Sequence, residues 1–174
     1  GAQIVNSFQI IASRQTAPLD SVVVSTTRFN AGEAFNVIPD SVTIGGSVRT
    51  FKSEIREATE RSLQKIAEGI CMANGATCSF KYHKGYPATV NHSEQARLAM
   101  QAAEKVVGEE NLIREPNPLM ASEDFSYMLL AKPGCFVFIG NGTGEKGGCM
   151  VHNPHYDFND EILPIGASYW ATLV

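Results

Sequence analysis

The densest chemistry in the sequence lies in Met150-Val-His-Asn-Pro-His-Tyr-Asp-Phe-Asn-Asp-Glu161, where His152 and His155 share a proline-containing turn among acids. Imidazole is a common ligand for zinc-like ions, and a carboxylate such as Asp157 could orient one ring from behind. H-x-x-H alone, however, more often marks solvated or core histidines. A mononuclear site needs three protein ligands, and His83 and His92 offer no partner spacing. Ser122-Glu123-Asp124-Phe125 is an acidic helix start. Capping and macrodipole stabilisation explain it most simply, and a polar contact at the mouth of a site is the alternative. Asn36 sits in a long loop beside Pro39, and Arg49 lies on the polar face of a strand. Together they could clamp a carboxylate, with a planar guanidinium fork and an amide N–H. An exposed arginine and a turn asparagine remain the simpler account of the same spacing.

A literal G-x-G-x-x-G occurs within Gly140–Gly147 after a strand-like run. A dinucleotide fingerprint needs a helix to open at that turn, so that its N-terminus faces the pyrophosphate. Gly148, Cys149 and then Asn153-Pro154 follow instead. The segment therefore reads as a flexible loop, not a cofactor site.

The elements that must carry these residues follow from periodicity. Ile4, Val5, Phe8, Ile11 and Ala12 recur at helical spacing over residues 2–14, with Pro18 as a stop. Residues 21–29 and 41–51 read as strands, the second with Val42, Ile44 and Val48 on one face and Thr43, Ser47 and Arg49 on the other. Residues 53–74 form the clearest helix, its apolar stripe built from Ile55, Ala58, Ser62, Leu63, Ile66, Ala67 and Ile70, and Asn74-Gly75 ends it. Alternation returns over 77–83 with Cys78, Phe80 and Tyr82 on one side. This α-β-β-α-β run becomes the ferredoxin-like β-α-β-β-α-β plan if one strand is added in front. Beyond Gly85-Tyr86-Pro87, a helix over 93–107 is entered by Asn91 with Glu94 as a capping box, and 111–114 is a short strand candidate. A helix over 122–131 has Ser122 as N-cap, residues 135–139 read as a fully buried strand, and a last helix spans 162–173 with Pro164 in its first turn.

Composition bounds the function. The chain has 174 residues, a net charge of −4 and a pI near 5.6, which argues against a phosphate-binding surface and so against nucleic acid. Its apolar runs are too short to cross a bilayer. With no signal-peptide pattern, a reducing cytoplasm is expected, and Cys71, Cys78, Cys135 and Cys149 read as buried free thiols. Gly1 is not an initiator methionine and the opening helix has no cap before it, so the chain reads as though a segment has been removed in front.

Taken together, Ala34-Phe-Asn-Val-Ile-Pro-Asp40, Gly46-Ser-Val-Arg-Thr-Phe51, Ala121-Ser-Glu-Asp-Phe125, Val151-His-Asn-Pro-His-Tyr-Asp-Phe158 and Leu163-Pro-Ile-Gly-Ala167 resemble the metal-dependent amino-acid amidohydrolases. That family includes hippurate hydrolases, indole-acetyl-amino-acid hydrolases and, more distantly, aminoacylases and zinc carboxypeptidases. The resemblance implies an α/β fold with an α+β lid: a ferredoxin-like antiparallel lid or dimerisation domain over 1–86, lacking its first strand, and the C-terminal part of a zinc-peptidase-like catalytic domain over 87–174. It implies His152 as a metal ligand, Asn36 and Arg49 as holders of the substrate carboxylate, often from the partner subunit, and Ser122 and Glu123 as lining of the pocket. It assigns His155 no role. The complete enzyme would use two divalent ions, zinc or manganese, to hydrolyse N-acyl amino acids. A glutamate would deprotonate a metal-bridging water, and homodimers would form through the lid. No H-x-C-G-H-D-like or Glu-Glu motif occurs here, so the missing N-terminal portion would have to supply the other ligands and the base. The chain alone is expected to be inactive. The alternative is a non-catalytic ferredoxin-like module for dimerisation or small-molecule binding.

Overall fold

The computed structural model describes residues 1–145 and 147–174, and Lys146 of the glycine-rich loop expected over 140–147 lies outside the described residues. The chain divides into two compact units, one of residues 1–88 with 120–122 and one of residues 89–119 with 123–174.

The first unit is a layer of helices on an antiparallel hairpin. Helix α1 (Ala2–Ile10) runs into a π-helical turn over Ile11–Gln15 and buries Ile4 and Ile11. Strands β1 (Val22–Asn30) and β2 (Thr43–Thr50) pair from Val22↔Thr50 to Asn30↔Thr43, interrupted by a bulge between Thr26 and Arg28. The line of the ladder continues as an ion pair, Lys52 Nζ to Asp20 Oδ1 at 2.6 Å. That hydrogen-bonded carboxylate pushes the Lys52 ammonium above the usual lysine range. Helix α2 (Ser53–Ala73) packs on β2 and α1, burying Thr59, Leu63 and Ala67. Thr59 joins the stripe because its hydroxyl donates to Ile55 O at 2.7 Å within its own helix. Ala58, expected in the stripe, is exposed. The helix ends where Gly75 turns with φ +67°, a conformation that glycine adopts without a Cβ clash.

Residues 77–83 carry the anticipated alternation, with Cys78, Phe80 and Tyr82 half-buried between exposed neighbours. They make no strand ladder, because facing is set by each side chain's own burial whereas a ladder needs a neighbouring backbone.

In the second unit, α3 (Ser93–Val107) packs on α5 (Leu163–Leu173) around Ala99, Ala102 and Tyr169, with Ala103 and Cys135 beside them. Asn91 does not form the anticipated capping box. Its amide instead bonds both polar groups of Phe136, accepting from N at 2.8 Å and donating to O at 2.9 Å. His92 becomes the N-cap, and Glu94 pairs with Arg97 at 2.7 Å. Residues 111–114 are not a strand: Glu109–Asn111 is a 3-10 turn, and Arg114 bridges Glu104 and Glu109. Residues 135–139 are not a fully buried strand either. They make no ladder, and Phe138 is 74% exposed, because no neighbouring strand covers them among the described residues. Helix α4 (Phe125–Ala131) starts later than expected. All four cysteines are free and half-buried. No helix among the described residues is long and apolar enough to cross a membrane.

The bulge brings the backbone of β1 close to Gly46: a Cβ there would lie 2.0 Å from Ser25 O, whereas at Gly45 it would touch only the Arg28 side chain at 3.5 Å. Gly46→Ala should therefore cost about 1–3 kcal/mol, the usual penalty of overpacking, and Gly45→Ala much less. Urea titration of both variants checks this, and equal midpoints would remove the bulge as a constraint.

Candidate functional site

The region around His152 is built from consecutive turns. Asn153 N donates to Met150 O at 3.1 Å, closing a turn whose third residue is His152. His152 has φ +72°, and no other non-glycine among the described residues has a positive φ. Positive φ at the third but not the second position is the type II pattern, in which glycine is usual. A histidine there carries backbone strain of about 1–2 kcal/mol. His155 follows as the third residue of the next turn, closed by Tyr156 N to Asn153 O at 2.9 Å, and Asn153 Oδ1 accepts from His155 N at 2.9 Å. Both imidazoles are exposed.

The segment after these turns is anchored by Asn141, which the sequence showed only as part of a glycine-rich loop. Its Nδ2 donates to Asp157 O at 3.0 Å and its Oδ1 accepts from Asn159 N at 2.9 Å. An asparagine amide carries a donor and an acceptor side by side and so can bond a backbone acceptor and donor together, as Asn91 also does. Asp157 makes no ion pair or hydrogen bond with either imidazole among the described residues.

Glu123 and Ser122 share the start of α4 without sharing a role. Ser122 is exposed and does not cap the helix. Asp124 is the N-cap residue, and its side chain makes no cap bond. Glu123, one residue before it, accepts at Oε1 from Phe125 N at 3.3 Å, while its carbonyl accepts from Ser126 Oγ at 2.7 Å. The longer carboxylate side chain reaches the free N–H of Phe125 and brings a charge that suits a helix N-terminus.

Arg49 is exposed on β2 opposite Val23, and its Nη1 donates to the carbonyl of Met120. That bond ties the strand to the 120–122 stretch, two residues from Ser122, a link between distant parts of the chain that no local pattern announces. Asn36 lies in the loop between β1 and β2, where every residue from Ala31 to Val42 is exposed and Phe35 and Ile38 stand almost wholly in solvent. No hydrogen bond joins Asn36 to Arg49. The register puts Arg49 six residues along β2 from Thr43, where the loop ends, which is about 20 Å of strand. Asn36, Arg49 and Ser122 belong to the first unit, and Glu123 and His152 to the second.

Among the described residues, no three His, Cys, Asp or Glu side chains gather closely enough to cage a metal ion. His152 offers a single imidazole, so these residues do not make a metal site by themselves.

Residues 6–174 match peptidase family M20/M25/M40. The hippurate hydrolase of Campylobacter jejuni subsp. jejuni is 39% identical over 170 residues, which cover 98% of this chain and 43% of that protein. A crystal structure of an aminohydrolase from methicillin-resistant Staphylococcus aureus superposes with a TM-score of 0.82 at 26% identity, over 99% of this chain and 43% of that one. A Bacillus subtilis protein described as a dinuclear metal binding peptidase of the M20 family superposes at 0.71 with 30% identity, with the same coverage. The chain thus spans less than half the length of the proteins it matches.

The strained turn separates a backbone requirement from a ring requirement. His152→Gly should leave the unfolding free energy within about 1 kcal/mol, since the relieved strain offsets the added freedom of the unfolded chain. His152→Ala should lose about 1 kcal/mol. Denaturant titration distinguishes them, and a glycine variant several kcal/mol weaker would mean that ring contacts hold the turn.

Proposed function

We propose, for a chain that belongs to peptidase family M20/M25/M40, that it is the C-terminal part of a metal-dependent amidohydrolase acting on N-acyl amino acids of the hippurate type. The observation that carries this reading is the unbroken match across residues 6–174, with a hippurate hydrolase 39% identical over 98% of the chain.

In this reading residues 1–86 are most of a lid domain and residues 87–174 are the returning segment of the catalytic domain. The remaining portion of the enzyme lies outside this chain. Support comes from what is left open here: the extended residues 77–83 and 135–139 have no ladder partner among the described residues, and Phe138, Leu130 and Trp170 are more than half exposed. Apolar strands without neighbours leave both backbone groups and side chains to water. A supplied strand would cover both. Until it does, the isolated chain lacks a complete set of ligands and is inactive.

His152 would give one imidazole to a centre of two divalent ions, zinc or manganese, completed by residues outside this chain. Such ions polarise the scissile carbonyl and acidify a bound water. The turn around His152 projects the ring into solvent, open to an ion held by other residues. Arg49 would exchange the Met120 carbonyl for the substrate carboxylate. That exchange is favoured because a charged acceptor forms the stronger bond and matches the guanidinium fork. Asn36, far along the hairpin from Arg49, would reach a carboxylate as an amide donor from the exposed loop, in the paired arrangement of a lid homodimer. Ser122 and Glu123 would line the pocket, and the enzyme would work in the cytoplasm.

Two measurements test the reading. Mixing the chain with a polypeptide carrying the N-terminal part of an M20 enzyme, with zinc or manganese added, should produce hippurate hydrolysis that neither piece shows alone. A stable complex silent on hippurate and other N-acyl amino acids would instead support a non-catalytic dimerisation or small-molecule-binding module. In the complete enzyme, Arg49→Ala should raise KM about tenfold to a hundredfold with kcat little changed, the loss of a charge-assisted ground-state contact. An equal fall in kcat and kcat/KM with KM unchanged would contradict that role.

A further inference from the structure

The chain has two Asn-Gly pairs, Asn74-Gly75 and Asn141-Gly142, and the amidohydrolase reading uses neither. In such a pair the glycine N can attack the asparagine Cγ and close a five-membered ring, and the missing Cβ leaves that nitrogen uncrowded. The two atoms belong to neighbouring residues, so the fold decides only how ready each one is. At Asn74 the fold works against reaction. Gly75 N is engaged, donating to Met72 O at 3.2 Å, and Asn74 Nδ2 donates to Ile70 O at 2.8 Å at the end of α2. No donor reaches Asn74 Oδ1 among the described residues. At Asn141 both points are reversed. Gly142 is exposed, and its N–H donates to no group among the described residues. Asn141 Oδ1 accepts from Asn159 N at 2.9 Å. A fixed N–H on that oxygen draws electrons from Cγ and is already in place for the negative charge that attack puts there.

We propose that Asn141 is a deamidation site whose conversion releases the segment that follows His152 and His155. Gly142 N gives its proton to hydroxide and attacks Cγ, and the charge forms on Oδ1. Nδ2 then leaves as ammonia with a proton taken from water, and a succinimide ring remains. Water opens the ring at either carbonyl, giving aspartate, or isoaspartate in which the main chain runs through the former side chain. One water is consumed, one ammonia is released, and nothing is oxidised or reduced. The product has no N–H to give to Asp157 O, which Asn141 Nδ2 holds at 3.0 Å before conversion. The new carboxylate would face that carbonyl as acceptor against acceptor. Asn159, held through its N–H by Asn141, itself caps the 3-10 turn Asp160–Ile162 by accepting from Glu161 N at 3.2 Å. Loosening at Asn141 therefore reaches the turn before α5.

The test incubates the chain in mildly alkaline buffer, digests it and weighs the peptides. The peptide carrying Asn141-Gly142 should gain the mass difference between an oxygen atom and an NH group about tenfold faster than the one carrying Asn74-Gly75. In concentrated urea, where neither set of contacts survives, the two pairs should react at nearly equal rates. Equal rates in the folded chain, or a faster Asn74, would overturn the site. Amide hydrogen exchange over 157–162 should quicken about tenfold after conversion. Asn141→Asp, made directly, should show the same rise while its circular dichroism stays that of the unconverted chain. Unchanged exchange in the converted chain would overturn the release.

Discussion

Every buried backbone N–H and C=O must find a partner, and in this chain the ladder between β1 and β2 is the place where a strand's whole row of them does so. The first unit depends on it. The register carries Arg49 opposite Val23, projects the Asn36 loop from the far end, and offers β2 as the surface on which α2 lies. The bulge between Thr26 and Arg28 brings the strands so close at Gly46 that only glycine fits. Where the ladder stops, the Asp20–Lys52 ion pair takes over.

Among its described residues the second unit has no such ladder and uses side chains in its place. Asn91 bonds both polar groups of Phe136, and His92 does much the same for Gly134, giving through its N to Gly134 O at 3.1 Å and accepting at Nδ1 from Gly134 N at 3.2 Å. These two residues satisfy one edge of the extended segment before α3 begins. The core behind them is small, made of Ala99, Ala102 and Tyr169, and alanines allow α3 and α5 to approach closely while contributing little apolar area. A unit with so thin a core and so much exposed apolar surface gains stability by being covered.

Most helices were legible because their signal is local. The stripe of α2, the span of α3, and the proline-opened α5 depend on side chains three and four residues apart, which any window of the sequence displays. The misreadings share one cause. The N-cap positions anticipated for Asn91 and Ser122 fall on His92 and Asp124, because Asn91 is taken by Phe136 forty-five residues away and the helix after Ser122 opens only at Phe125. The strand anticipated over 135–139 has the right composition, but its burial depended on neighbours that composition cannot supply.

By itself the sequence determined most of the helical spans, most of their apolar faces, and, through the order of five short motifs, the resemblance to a hydrolase family. These properties are written in residue type and spacing along one dimension. Only the tertiary structure decided that Arg49 is held by Met120, that Asn141 pins the segment after the histidines, and that His152 sits in a left-handed conformation. Each of these is a contact or a backbone angle imposed by chain reversal and by partners distant in sequence, and a side chain's own chemistry does not name the partner it will meet.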